Sequence, residues 1–286
     1  MQELDLLILG AGWTSTFLIP IAHERRLNFA ATTRNGRKVA GAETIEWSFD
    51  PSGDLDQFSK LPLAKNVVIT FPLKGEGQSK TLVQGYEKTW SNKLPKDGVH
   101  FIQLGSTGIW QIEQSSHWTS RSSPYDKSSP RAIAEDELIS LGGCALNLAG
   151  LWGGERKPWT WVSRVAKTKE DVKGKNSLHL INGVDVARAI LAITEKWKSA
   201  MGQRWMLTDG LVYDWWELFS GWAAVNDEEV DPKPLDQARW VHELMDEEGV
   251  KALPRSMETL GRCYDSREFW STFGLTPVNA RVAAGH

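Results

Sequence analysis

A short apolar strand that runs directly into a glycine turn and then a helix, at the start of the chain, restricts the possible folds more than any other feature. Leu4 to Leu9 reads LDLLIL, with one polar residue in six. Such a run is buried on both faces, as in a parallel sheet covered by helices. Gly10-Ala-Gly12-Trp-Thr-Ser15 follows, and from Thr14 to Arg26 the residues Phe17, Leu18, Ile21 and Ala22 recur on one helical side. The 286 residues suffice for one large domain or a domain with a subsidiary lobe.

Alternation of short apolar runs with helical patterns continues to about residue 150. Strands are expected at Leu4–Leu9, Phe29–Thr33, Thr44–Phe49, Asn66–Phe71, Val99–Leu104 and Cys144–Leu151, with a crossover helix at Ser79–Ser91. This order predicts an α/β chain, a doubly wound parallel sheet of the Rossmann type. The serine-rich stretch from Ser115 to Pro130 reads as a mobile loop, followed by a helix from Arg131 to Leu141. A short helix near Trp159–Val165, a strand at Ser177–Ile181 and a helix at Val184–Trp197 come next. Residues 1–200 are expected to form the sheet domain. Residues 201–286 are expected to form a small, mainly helical substrate lobe, with a strand at Arg204–Leu207 and helices near Tyr213–Ala224 and Leu235–Glu247. The acidic residues Asp227, Glu228, Glu229 and Asp231 read as a solvated loop rather than a metal cage, because Pro232 and Pro234 follow.

Composition removes several function classes. The net charge of −3 argues against nucleic-acid binding, and no apolar run approaches the roughly 20 residues that span a bilayer. Two cysteines, Cys144 and Cys263, cannot make a disulfide framework, so the chain reads as reduced and cytoplasmic. The 15 tryptophans show no period and imply no repeat.

The glycine turn stands where a dinucleotide pyrophosphate meets a helix N-terminus. Gly10 permits the tight turn and Gly12 the close approach of backbone to phosphate. Ser15 takes the place of a third glycine, where a hydroxymethyl still allows helix–strand packing, and Trp13, Thr14 and Ser15 are candidate cofactor contacts. The same residues are also compatible with a turn that only packs the sheet. At the end of the second strand, Thr32-Thr33-Arg34-Asn35 lacks the acidic residue that grips two ribose hydroxyls. Arg34, backed by Arg37 and Lys38, suits a 2′-phosphate instead, which points to NADP(H). Phe71 and Pro72, closing the fourth strand, are expected to border the same cofactor.

Leu104-Gly-Ser106-Thr107-Gly-Ile-Trp110, Ala134-Glu135-Asp-Glu-Leu138, Leu146-Asn-Leu-Ala-Gly150-Leu-Trp-Gly153 and His179-Leu-Ile-Asn-Gly-Val-Asp185-Val-Ala-Arg188-Ala follow in that order. Together with the glycine turn they resemble the extended short-chain dehydrogenase/reductases, in particular the atypical branch related to nucleoside-sugar epimerases. The resemblance implies a site between sheet and lobe for a small organic substrate, a Ser or Thr holding the substrate oxygen, and a Tyr four residues before a Lys moving the proton. Ser106 and Thr107 match the hydroxyl. Lys127 and Arg131 fall where the tyrosine and lysine belong, so the pair is missing. Tyr125 is the substitute acid to consider and Arg131 an anion contact, if the serine-rich loop closes over substrate. Two further readings stay open: a non-redox enzyme that retains the dinucleotide, and a silent NADP-binding sensor. Trp152, Trp159 and Trp161 suggest an aromatic wall for an apolar or planar substrate, or else packing. Asp185 and Arg188 read as capping and charge support, and His117, His179, His242 and Cys144 as structural residues.

Overall fold

Strand β1 (Leu4–Leu9) sends Leu6 and Ile8 into one core and Leu7 and Leu9 into another, on opposite faces of the sheet. The period of two along a strand divides one apolar run between two layers of helix. The computed structural model describes residues 3–114, 116–222 and 235–281. The acidic stretch with Pro232 and Pro234 lies outside the described residues, as does Ser115.

The main sheet is built from β1, β2 (Phe29–Thr33), β3 (Ile45–Glu46), β4 (Ala64–Ile69) and β5 (His100–Ser106), with later strands added beyond β5. A short strand β6 (Trp118–Ser120) follows outside it. Then come β7 (Cys144–Leu148), β8 (Gly150–Trp152), β9 (Ser177–Leu178), β10 (Leu180–Asn182), β11 (Arg204–Leu207), β12 (Tyr213–Asp214) and β13 (Cys263–Asp265). The large sheet has seven strands in the order β11-β7-β5-β4-β1-β2-β3, all paired in parallel. Its connectivity reverses between β1 and β4. Doubly wound sheets bind ligands at the carboxyl ends of the strands beside such a reversal. The helices α1 (Ser15–Glu24), α2 (Gln78–Thr89) and α3 (Pro130–Ser140) follow β1, β4 and β6. Leu18 and Ile19 of α1 bury one face, whereas Leu82, Val83 and Tyr86 of α2 and Leu138 of α3 bury the other. Phe17 lies so close to Gly183 that a methyl group there would collide with its ring, and this brings α1 against the helix Gly183–Glu195.

Several expected elements are redrawn. The third strand shrinks to Ile45–Glu46, because the edge strand has a partner on one side only and Trp47 turns its indole to the Gln57 carbonyl at 2.9 Å. Cys144–Leu151 divides after Leu148. β7 pairs with β5 and β11, whereas β8 leaves the sheet to pair with β10, with Gly150 closely packed against Leu180. Arg204–Leu207 is the seventh strand of the large sheet, so that sheet extends past residue 200. The serine-rich segment is not a loose loop where it is described. β6 pairs with β13, Arg121 bonds Gln203, the Arg204 carbonyl and Glu268, and the Asp126 N–H donates to Ile109. Serine content says nothing about pairing with a strand far along the chain.

The second body of the protein is centred on tryptophan. Trp215, Trp216, Phe219 and Trp222 pack with Val241 and Leu244 of the helix Asp236–Glu248, and Trp152, Trp159 and Trp161 lie partly buried against this cluster. These three indoles pack on the cluster with one part and stay exposed with the rest. Asp214 and Arg255, both nearly inaccessible, pair at 2.7 Å beneath the Trp216 ring. No helix among the described residues is long and apolar enough to cross a membrane.

Candidate functional site

At the switch point, Gly10 has φ +83°, and a Cβ there would lie 2.7 Å from the Phe71 ring. Both the left-handed backbone and the close approach require glycine. The turn is held from beneath: Gly10 N–H donates to Thr32 Oγ1 at 3.0 Å, Ala11 N–H to the Thr32 carbonyl at 2.6 Å, and the Thr70 hydroxyl bonds the Gly10 carbonyl. Gly12 is different, since a Cβ on it would meet nothing nearer than the Gly10 carbonyl at 3.8 Å. Its missing side chain leaves open space above the turn. Among the described residues no acceptor faces the N–H groups of Gly12, Trp13 or Thr14, so they are free donors at the α1 N-terminus.

Ser15 is fully buried and its hydroxyl meets no partner among the described residues. It packs the helix against the sheet, outside the lining of the cleft that opens from this turn. Thr14 is nearly buried beside it. Trp13 turns toward the lobe, where its indole N–H donates to the Gly153 carbonyl at 3.2 Å, its ring meets Phe17 edge-on, and the Arg156 guanidinium lies 4.4 Å above it.

A cleft of about 760 Å³ opens from this turn and is lined by Gly10, Ala11, Gly12, Thr33, Arg34, Asn35, Arg37, Trp47, Ser48, Phe49 and Phe71. Arg34 and Arg37 are exposed, with no carboxylate within ion-pair distance among the described residues. Lys38, expected to support them, is paired with Glu43 at 2.6 Å and does not line the cleft. Phe71 borders the cleft as expected, whereas Pro72 is exposed and outside its lining. Trp47 and Phe49 were not foreseen as cleft residues. Phe49 and Phe71 stack at 6.2 Å, and Trp47 lies 6.4 Å from both. Their signal in the sequence is an aromatic pair, two residues apart, at the carboxyl end of a strand.

The four candidate catalytic residues lie outside this lining. Ser106 ends β5, and its Oγ accepts from the Gly108 N–H at 3.1 Å, capping the single turn Thr107–Trp110. Thr107 is buried, and its carbonyl accepts from the Tyr264 hydroxyl at 3.0 Å. Asn147 Nδ2 donates to both the Ser106 carbonyl and Glu135 Oε2, each at 2.9 Å, and the buried Arg204 guanidinium bonds Glu135 and Asp136. Burial raises the Glu135 carboxyl, against the opposing pull of Asn147, Arg204 and Arg131. Its carboxylate occupies the space a side chain on Gly105 would need.

Tyr125 is part of this structural network. Its hydroxyl donates to Asp136 Oδ1 at 2.8 Å, its ring lies 4.4 Å below the Arg204 guanidinium, and it packs edge-on to Trp110. Burial first, and then the Asp136 bond, raise its pKa. Arg131 occupies the first turn of α3, half-buried, and Lys127 is exposed. Among the described residues no hydrogen bond joins Tyr125 or Arg131 to Ser106 or Thr107. In this structure the Tyr125 hydroxyl is given to Asp136 rather than to the strand end at Ser106.

His179, Cys144 and Asp185 hold the structure together. His179 accepts the Tyr264 N–H through Nε2 at 3.0 Å, and burial lowers its pKa to about 3. Cys144 is fully buried and burial pushes its thiol up. Asp185 pairs with Arg188 at 2.6 Å and accepts the N–H groups of Val278 and Asn279, pinning the C-terminal segment to the helix start. Among the described residues no cluster of three or more His, Cys, Asp or Glu could hold a metal.

No family model matches the sequence, and no curated protein matches it. Solved structures do. Vestitone reductase from alfalfa (Medicago sativa L.) superposes with TM-score 0.62 at 14% identity, over 99% of this chain and 96% of that one. MoeE5 in complex with UDP-glucose and NAD gives 0.61 at 15%, over 96% and 94%. The enzyme WbmG of Bordetella bronchiseptica, in complex with NAD, gives 0.59 at 14%, over 99% and 92%. Over nearly its whole length, the chain has the Rossmann-type parallel-sheet fold found in epimerase and reductase structures.

Proposed function

We propose that the chain binds NADP(H) in the cleft at the β1–β4 switch point and acts as an NADP(H)-dependent oxidoreductase of the atypical extended short-chain type on a small organic substrate. The observation that carries this reading is the continuity of the cleft, from the free N–H groups at the α1 N-terminus to the unpaired guanidiniums of Arg34 and Arg37. The helix end suits a pyrophosphate. The two arginines suit a 2′-phosphate, because a guanidinium grips it through parallel hydrogen bonds. Trp47, Phe49 and Phe71 offer planar faces for the base. Two of the structures with this fold, MoeE5 and WbmG, hold NAD, which supports a nicotinamide dinucleotide here.

The bound dinucleotide would supply the hydride. Of the chain's own groups, Ser106 Oγ accepts from Gly108, which leaves its hydroxyl proton to donate to a substrate oxygen. NADPH fluorescence titration, with displacement by NADP⁺, tests the binding; no saturable signal overturns it. A second reading, NADP(H) retained without hydride transfer, rests on the Tyr125 hydroxyl being given to Asp136. Substrate conversion at constant NADPH absorbance would support that second reading, and conversion with matching NADPH loss would support the first.

A further inference from the structure

A second cavity, of about 280 Å³, lies between the end of the Thr107–Trp110 turn, strand β6 and the residues entering β13. It shares no lining residue with the nucleotide cleft. Its chemistry is different as well. Gln111, Ser116, His117, Thr119 and Arg262 line it, and no acidic side chain does. Two polar groups there are unsatisfied. Thr119 is wholly buried, and among the described residues its hydroxyl has no partner and the buried Arg262 Nε–H has no acceptor. Native proteins seldom leave such groups without a partner.

Arg262 has no carboxylate within ion-pair distance among the described residues, while its carbonyl is fixed by the Ser177 hydroxyl. The Arg262 guanidinium lies 5.6 Å over the Tyr264 ring, whose face attracts a cation but accepts none of its in-plane N–H bonds. A guanidinium only donates and a threonine hydroxyl can donate as well, so one acceptor group serves both, and beside a guanidinium an anionic acceptor makes the stronger bond. The cavity falls below the roughly 300–1,000 Å³ of sites for larger ligands, which favours a compact anion over a nucleotide. The pocket is also tied to the strand-end cluster: Cys263 N–H donates to the His117 carbonyl at 2.7 Å, and Tyr264 reaches the Thr107 carbonyl.

We infer that this pocket binds the oxyanion group, phosphate or carboxylate, of a small molecule between Arg262, Thr119 and His117. The inference is independent of the nucleotide reading. Calorimetric titration of the full chain with inorganic phosphate, and separately with succinate, tests it and distinguishes the two anion types. Saturable binding of at least one is expected, weakened at least tenfold in Arg262→Gln and several-fold in Thr119→Val. The affinity should be unchanged in Arg34→Ala,Arg37→Ala, which removes the cleft cations. Absence of saturable binding, or equal binding by Arg262→Gln, overturns the inference; so does loss of binding in the Arg34/Arg37 variant alone. If Arg262→Gln lacks a cooperative thermal transition, Thr119→Val decides, and an unchanged affinity there overturns it.

Discussion

The indole N–H of Trp13 donates to the carbonyl of Gly153 across 140 residues of sequence, joining the glycine turn to the turn that follows β8. One residue thereby ties the turn that borders the cleft to the start of the lobe. Trp13→Phe keeps an aromatic ring against Phe17 and Arg156 but removes the donor. A loss of about 1 kcal/mol in denaturant unfolding is expected, with weaker NADPH binding because the turn is less fixed. Unchanged stability and affinity together would show that the bond does not hold the turn.

Gly10 and Gly12 separate folding from binding. Gly10→Ala meets both a positive φ and the Phe71 ring, so urea denaturation should show a loss of about 1–3 kcal/mol. Gly12→Ala has room for its methyl group in the free protein and should unfold nearly as the parent does, yet bind NADPH much more weakly. Equal stability losses for the two variants would contradict this division.

Tyr125→Phe is expected to act on stability, through the lost bond to Asp136. A cost of about 1 kcal/mol corresponds to a melting point lower by about 2–4 °C, with NADPH affinity unchanged. If turnover with an identified substrate were abolished while the melting point stayed put, Tyr125 would be the acid after all.

Acid should weaken the fold through two histidines. Burial lowers His179 to about 3 and His100 to about 4, whereas an unfolded histidine titrates near 6.5. Between these values the unfolded chain binds more protons, so the stability present above pH ~6.5 is lost as pH falls, by up to about 1.4 kcal/mol per pH unit per group. Asp209 opposes this. Burial raises it to about 6, so its share of stability falls as pH rises from about 4 to 6. Glu135, which burial also raises, acts with Asp209. The two histidines, together with carboxylates held low by ion pairs such as Asp265 and Glu268, outweigh them, and unfolding free energy measured from pH 7 to 4 should decline. His179→Gln should flatten that slope; an unaltered slope would remove His179 from the account.

The sequence revealed most where structure is local. The strand, glycine turn and helix from Leu4 to Glu24 read directly, because the apolar period and the two glycines act within one short segment. Arg34 and Arg37 were legible as a charge cluster at a strand end. The pairing of β6 with β13, the place of β11 at the sheet edge and the Arg204–Glu135–Asn147 network were not. Each joins residues far apart in sequence, and no local pattern encodes the partner. Tyr125 shows the same limit: it came into view only as a stand-in near the missing tyrosine–lysine positions, and no local pattern encodes its contact with Asp136 on the next helix.

The central claim is that the cleft recognises a 2′-phosphorylated dinucleotide through Arg34. Competitive titration of the protein and of Arg34→Ala with NADPH and NADH tests it most directly. Tighter binding of NADPH is expected for the parent, by at least tenfold for a charged bidentate contact of about 1.5–3 kcal/mol. Arg34→Ala should lose most of that preference while keeping its affinity for NADH. Equal affinity of the parent for the two cofactors, or a preference untouched by Arg34→Ala, would contradict the account.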